Sequence, residues 1–341
     1  MTHPSTRYRQ ARYTMRGPVP QDVIEAVAFT PGPLAAGQAL VEVLAAPINP
    51  SDVLTLTGDY GSLPPLPAVG GNEGVGRVLE VAADVRGVSV GQTVLLPVGS
   101  GTWTTHLVAA ANTLMPLPDG ADPRQLSMLT VNPPTARLLL SEFVALQAGD
   151  WVVQNAANSA VGCYLVQLAK ARGIRTVNIV RRVSAQRPVQ ALGGDVVLVD
   201  GDDPGRDDLA ARVREATGGA SIALGIDAVG GGATGRLAQV VAPGGMLVTY
   251  GAMSGEDCAI SPTALIFRGI TLRGFWLAHW FKTTPPQTRA ALFGELVALI
   301  AAGQLSAQVQ ATYGIDRIKE AVTAAAAGER DGKILVLPNE A

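Results

Sequence analysis

An α/β fold, with a doubly wound parallel sheet joined to a β-rich region, is predicted by three features of this 341-residue chain. Residues 151–182 run strand, tight turn, helix, strand, the first half of a dinucleotide-binding βαβ unit. From residue 126 onward, strand and helix signals alternate with short connections, the pattern of a parallel sheet. Before that point, short β segments and glycine turns dominate and long helices are few.

The βαβ unit is the most informative segment. Strand 151–154 is apolar enough to be buried on both faces, as parallel strands are. Asn158 and Ser159 are suited to cap the next helix, whose first N–H groups attract anions. Gly162, one turn in, lets that helix lie close to the strand. The glycine fingerprint itself is reduced to Ala156-x-Asn158-x-x-x-Gly162. At the end of the second strand an Asp or Glu would bind the ribose 2′-OH of NAD, whereas Arg accommodates the 2′-phosphate of NADP. The chain has Arg181 and Arg182 there and no acid, so NADPH is the expected cofactor.

The β segments of the first region are read at 39–45, 74–81, 93–97 and 104–108, after a strand pair within 12–29. Residues 126–143 change to a helical period. Further strands are read at 151–154, 176–180, 195–199, 222–227, 246–250 and 270–275, with helices at 160–172, 205–216 and 232–241. The last part reads as helices 288–302 and 315–326 and a strand 333–337, returning to complete the first domain. Residues 1–128 with 277–341 thus form the β-rich domain, and 129–276 the nucleotide-binding domain. The active site is expected in the cleft between them, at the carboxyl ends of the parallel strands.

Composition narrows the function. Hydrophobic residues make up 48% and charged residues 16%, and the net charge is −2, so nothing draws the chain to nucleic acid or an anionic membrane. No apolar run approaches the roughly 20 residues of a membrane span. Cys163 and Cys258 read as small buried hydrophobes in a reducing compartment. Met1 to Arg16 is Arg-rich and lacks acids, like a transit peptide, but strand signals start at Arg12, and a cytoplasmic protein is expected.

The layout resembles that of the medium-chain dehydrogenases/reductases, with a GroES-like β-rich catalytic domain and a Rossmann nucleotide-binding domain. Many of these use zinc held by about three Cys, His or acidic ligands. Here the first ligand region reads Asn49-Pro50-Ser51-Asp52 and the second Gly70-Gly71-Asn72-Glu73, two cysteines cannot build a four-cysteine lobe, and His3, His106 and His279 are scattered. No metal is expected, and Glu73 reads as a structural carboxylate that holds backbone or Asn72.

Within that superfamily the chain is similar to the zinc-independent 2-enoyl thioester reductases, the mitochondrial trans-2-enoyl-CoA reductase branch. The resemblance is carried by Asn49-Pro50-Ser51-Asp52, Gly58-Asp59-Tyr60-Gly61, residues 66–74 and Gly101-Thr102-Trp103-Thr104-Thr105. It continues through Val131-Asn132-Pro133, residues 154–162, Thr249-Tyr250-Gly251-Ala252-Met253 and Leu272-Arg273-Gly274-Phe275-Trp276-Leu277. It implies Tyr60 as the catalytic proton donor. It implies NADPH contacts at Asn132, Asn158, Ser159, Ala160, Val161, Arg181, Arg182, Tyr250, Gly251, Ala252, Met253, Phe275, Trp276, Leu277, Ala278 and Lys333. The chain departs from the family at Val183-Ser184 and in a shorter 182–200 stretch.

The implied reaction is NADPH-dependent reduction of the C2=C3 bond of trans-2-enoyl thioesters, on coenzyme A or acyl-carrier protein, as in fatty acid synthesis. Hydride goes to C3, the enolate oxygen needs hydrogen-bond donors, and C2 takes a proton. A phenol ordinarily titrates near 10, so a tyrosine can supply that proton at neutral pH. The alternatives are a zinc-free quinone or enone reductase, whose branch carries a glycine-rich turn in place of Asn158-Ser159, and a protein that binds NADPH without catalysis. A homodimer is expected, because the last strands of the parallel sheet would otherwise leave an apolar edge.

Overall fold

The computed structural model describes residues 8–200, 208–328 and 330–340. His3, the start of the Arg-rich segment and the predicted helix start at 205–207 lie outside them. The chain divides into two units, Met1–Val131 with Phe293–Ala341, and Asn132–Leu292.

The first unit begins with β1 (Arg9–Tyr13), β2 (Ile24–Ala28), β3 (Gln38–Ile48), α1 (Pro50–Thr57), β4 (Ala68–Val69) and β5 (Val75–Val81). It continues with β6 (Thr93–Leu95), β7 (His106–Ala110), β8 (Met115–Pro116) and α2 (Pro123–Leu126). Strand β3 is its spine. Ala39, Val41, Val43 and Ala45 alternate inward with no exposed surface, and from Ala45 to Ile48 every residue is buried. That change from one buried face to two marks where β3 enters the interior of the unit.

The second unit is α3 (Asn132–Leu139), β9 (Trp151–Gln154), α4 (Ala160–Ala171), β10 (Arg175–Val180), α5 (Gln186–Ala191), β11 (Val196–Val199) and α6 (Leu209–Ala216). Then follow β12 (Ile222–Asp227), α7 (Gly231–Val240), β13 (Met246–Thr249), α8 (Pro262–Ile266), β14 (Thr271–Gly274) and α9 (Leu277–Thr283). The six strands pair in the order β11-β10-β9-β12-β13-β14, every pairing parallel. The chain runs outward from β9 through β10 to β11, then returns to β9's other side as β12. That reversal beside β9 is the topological switch point of a doubly wound sheet.

Helix α10 (Pro286–Ala301) spans the division between the units, and β15 (Val309–Tyr313), α11 (Ile318–Ala326) and β16 (Lys333–Val336) follow. Strand β16 pairs antiparallel with β3 and parallel with β15, which completes a seven-stranded sheet β15-β16-β3-β5-β6-β8, with β7 also on β3.

Differences from the sequence-based expectations are local. The single helical reading of 126–143 resolves into α2 and α3, because Pro133 and Pro134 fit only the first turn of a new helix. Helix α1 had no apolar period strong enough to announce it, and α9 buries none of its residues. Burial pushes the thiol of Cys163 up to about 12, so it is inert as a nucleophile.

The turn after β9 explains the reduced fingerprint. Ala156 takes φ +46°, the left-handed conformation in which glycine is ordinarily placed. Gly162 cannot be replaced freely, since a Cβ there would lie 2.6 Å from the carbonyl oxygen of Ala157. Its tight neighbour is thus the turn, not the strand. Gly162→Ala is expected to destabilise the protein by about 1–3 kcal/mol in urea unfolding. Gly294→Ala, in α10 with nothing within 4 Å, is expected to be neutral or stabilising.

Candidate active site

In the first unit the polar residues that α1 and the strands carry inward form one buried network. Helix α1 starts at Asn49 with a capping box: the Asn49 N–H donates to Asp52 Oδ2 at 2.7 Å. The Asn49 side chain also donates from Nδ2 to Glu73 Oε1 at 2.7 Å. The second oxygen of Glu73 accepts the backbone N–H groups of Thr130 and Val131, both at 2.9 Å. Lys333, at the start of β16, donates from Nζ to the Ile48 carbonyl at 3.0 Å and to Asn49 Oδ1.

Asn49, Asp52, Glu73 and Lys333 are all buried, Glu73 with no exposed surface. Burial dominates their titration. The carboxyls of Asp52 and Glu73 are pushed up and the Lys333 ammonium down, because loss of water disfavours the charged forms. The opposite charges of Lys333 and the two carboxylates counter part of that shift.

Tyr60 follows this anchored helix. Gly58 ends α1 in the left-handed conformation, φ +98°, and its N–H donates to Leu54 O at 2.9 Å. The N–H of Asp59 reaches the same carbonyl, and Thr57 Oγ1 donates to Asp59 Oδ2 at 2.7 Å. Tyr60 therefore leaves a fixed helix end and is half-buried on the loop beyond it.

In the second unit, parallel pairing sets the carboxyl ends of β9 to β14 along one edge of the sheet. After β9 come Asn158, Ser159, Ala160 and Val161; Ser159 is the N-cap of α4, its Oγ accepting the Gly162 N–H at 3.1 Å. Asn158 makes no cap there. Arg181 and Arg182 follow β10, Arg181 exposed and Arg182 half-buried. Tyr250, Gly251, Ala252 and Met253 follow β13; burial raises the Tyr250 phenol, which is hydrogen-bonded to Ser159. Phe275, Trp276, Leu277 and Ala278 follow β14, with Phe275 edge-on to Phe143 at 5.7 Å and Trp276 largely exposed. Asn132 is buried at the start of α3.

The structure thus gathers the expected cofactor residues of β9, β10, β13 and β14 on one edge, and puts Tyr60 and Lys333 in the first unit. Lys333 is neither solvated nor at a surface, since its ammonium is engaged by Ile48 and Asn49. Glu73 does hold backbone, at Thr130 and Val131, together with the side chain of Asn49 rather than Asn72.

Two groups of residues escaped the sequence reading. Asn49 and Asp52 were read as a region without zinc ligands and as part of the family resemblance, although Asn49-Pro50-x-Asp52 is also the start signal of a capped helix. The other is Asp227, which ends β12. Its Oδ1 accepts Asn155 Nδ2 at 2.6 Å and the N–H groups of Val229 and Gly230, and its Oδ2 accepts Thr234 Oγ1 at 2.6 Å. It shapes the turn into α7. A fully polar residue closing an otherwise apolar strand was its one signal.

Two family models match parts of the chain, the alcohol dehydrogenase GroES-like domain at residues 35–119 and the zinc-binding dehydrogenase at 160–293. They and the fold define a medium-chain dehydrogenase/reductase. Human mitochondrial enoyl-[acyl-carrier-protein] reductase is 38% identical over 293 residues, 84% of this chain and 78% of the relative. The chain belongs to this enoyl reductase family. The Etr1p complex with NADP and crotonyl-CoA has a TM-score of 0.88 at 26% identity, covering 97% of this chain and 99% of that one. A mycobacterial quinone oxidoreductase has a TM-score of 0.80 at 25% identity, covering 97% and 100%. The expectation of a cytoplasmic protein is overturned, since the named relatives are mitochondrial.

The zinc of the second family model does not fit these residues. Asn72-Glu73 offers one carboxylate, and that carboxylate is taken up by Asn49 and two backbone N–H groups beside an ammonium. Among the described residues no group of three His, Cys, Asp or Glu side chains is placed to hold a metal.

The Asp52 carboxyl, pushed up from 3.8 to about 6 by burial, gives a pH test. The folded protein holds this proton more tightly than the unfolded chain does. The contribution to stability is therefore full below about pH 4 and lost as pH rises through about 6. Asp52→Asn keeps an acceptor for the Asn49 N–H and does not titrate. Relative to wild type it is expected to gain up to about 3 kcal/mol between pH 4 and pH 7 in urea unfolding. Parallel pH profiles for the two proteins would contradict the assignment.

Proposed function

We propose that this protein reduces the C2=C3 double bond of trans-2-enoyl thioesters with NADPH, Tyr60 serving as the proton donor. The observation that carries the reading is the carboxyl edge of the parallel sheet, where an anion-binding turn, a pair of arginines with no acid and an aromatic pair converge. Family membership supports the same chemistry. The residues fit the cofactor. The N-terminus of α4, capped by Ser159, offers N–H groups to the pyrophosphate, and Ala160 and Val161 bring that backbone close. Arg181 and Arg182 suit the 2′-phosphate. Tyr250 to Met253, Phe275 to Ala278, Asn132 and Asn158 line its remaining length, and Lys333 acts from within the buried network.

NADPH, when bound, supplies the hydride that goes to C3. Tyr60 then offers its phenolic O–H to the enolate and delivers the proton at C2. The capped helix behind Tyr60 keeps that hydroxyl from having to be ordered during the reaction. The thioester is on coenzyme A or an acyl-carrier protein.

We further propose a homodimer formed through β14. It is the edge of the parallel sheet, and beside it α8 and its end leave Leu265, Ile266 and Phe267 exposed, Phe267 at 81%. An unpaired edge next to an apolar patch is a surface that a second copy covers.

Tyr60→Phe is expected to lower kcat for crotonyl-CoA reduction by at least about 100-fold. NADPH affinity, followed by cofactor fluorescence, is expected to stay within twofold. Unchanged turnover would remove Tyr60 from the chemistry. A wild-type protein that reduces small quinones and leaves crotonyl-CoA untouched would overturn the reading itself.

A further inference from the structure

We infer that Arg16 is a positioning residue for Tyr60, holding the loop 58–64 in one conformation; its effect on turnover rests on the reading of Tyr60 as proton donor. Arg16 lies three residues beyond the end of β1, and its side chain runs against both sides of the loop. On the near side its stem packs on Gly58, where a Cβ would lie 3.5 Å from Arg16 Cδ and 3.7 Å from its Cβ. On the far side Nη2 donates to the carbonyl of Pro64. The guanidinium is also hydrogen-bonded to the hydroxyl of Tyr13, a side chain at 2% exposure in the core of the first unit.

The neighbouring residue ties the same region down. Gly17 N–H donates to Leu56 O, in the last turn of α1, at 3.2 Å. The bonds of Gly58, Asp59 and Thr57 secure the chain up to Asp59. The Arg16–Pro64 bond adds a tie beyond Tyr60, so the tyrosine sits on a short span held at both ends. A planar guanidinium suits this task, since its fixed fork reaches two acceptors at once while an ammonium offers a point charge. The absence of a side chain at Gly58 both permits the left-handed helix end and leaves room for the Arg16 stem. A reacting group displaced by about 1 Å loses on the order of 100-fold in rate.

The test is a double-mutant cycle on the full-length protein, with crotonyl-CoA and saturating NADPH. Arg16→Met is expected to lower kcat by about 10- to 100-fold with KM for NADPH within twofold, and Arg16→Lys to recover part of the loss. In a Tyr60→Phe background, Arg16→Met is expected to change the residual rate by less than twofold. Hydrogen exchange adds a readout independent of catalysis: peptides covering 58–64 are expected to exchange faster in Arg16→Met and unchanged in Tyr60→Phe. Unaltered exchange over 58–64, or an equal fall in kcat in both backgrounds, overturns the role of Arg16. If Tyr60→Phe alone keeps full turnover while the loop loosens in Arg16→Met, the proton-donor reading fails and the loop clamp stands.

Discussion

A carboxylate with no exposed surface, Glu73, is the constraint around which the first unit is arranged. Taking such a group out of water costs several kcal/mol unless hydrogen bonds and a counter-charge replace the water. Asn49, Thr130 and Val131 supply the hydrogen bonds and Lys333 the charge. Those partners come from the end of β3, the segment entering α3 and the returning strand β16. The carboxylate can be buried only if all three are in place, so one side chain fixes the relation of distant stretches of chain. Asn49 is also the N-cap of α1, and the far end of α1 leads to Tyr60. A buried charge network and the loop that carries Tyr60 in this way flank the two ends of one eight-residue helix.

The second unit solves a different problem with fewer charges. A parallel sheet buried on both faces leaves its polar work to the strand ends, and parallel pairing puts those ends on one edge. Ser159 caps α4 and is bonded to Tyr250, so the turns after β9 and β13 are linked directly. Asp227, with four donors on its carboxylate, pins the turn after β12. The turns along this edge are thus tied by their own hydrogen bonds, and the proposed reading gives the basic pair after β10 the 2′-phosphate.

Much of this was legible in the residues. Buried strands show as apolar runs, and β9 to β14 fell within a residue or two of their expected places because each is short and bounded by turns. The left-handed Ala156 shows how the turn could lose a glycine and keep its shape. Tyr60 and the arginine pair could be named as candidates from family resemblance and strand position. Glu73 could be read as a carboxylate that holds backbone, but the buried ionic network it shares with Lys333 could not, because it joins residues 49, 52, 73 and 333 and leaves no local pattern. Arg16 was hidden for the same reason, its partners lying 42 and 48 residues away. Residence in the cell was misjudged, since composition carries no address and the relatives are mitochondrial.

The most direct test of the chemistry is to follow label through one turnover with crotonyl-CoA. With C4-deuterated NADPH in ordinary water, mass spectrometry and NMR of the butyryl product are expected to show one deuterium, at C3. With unlabelled NADPH in deuterated water the single deuterium is expected at C2. Cofactor deuterium at C2, or cofactor oxidation without any saturated thioester, would contradict a conjugate reduction completed by a protein proton donor.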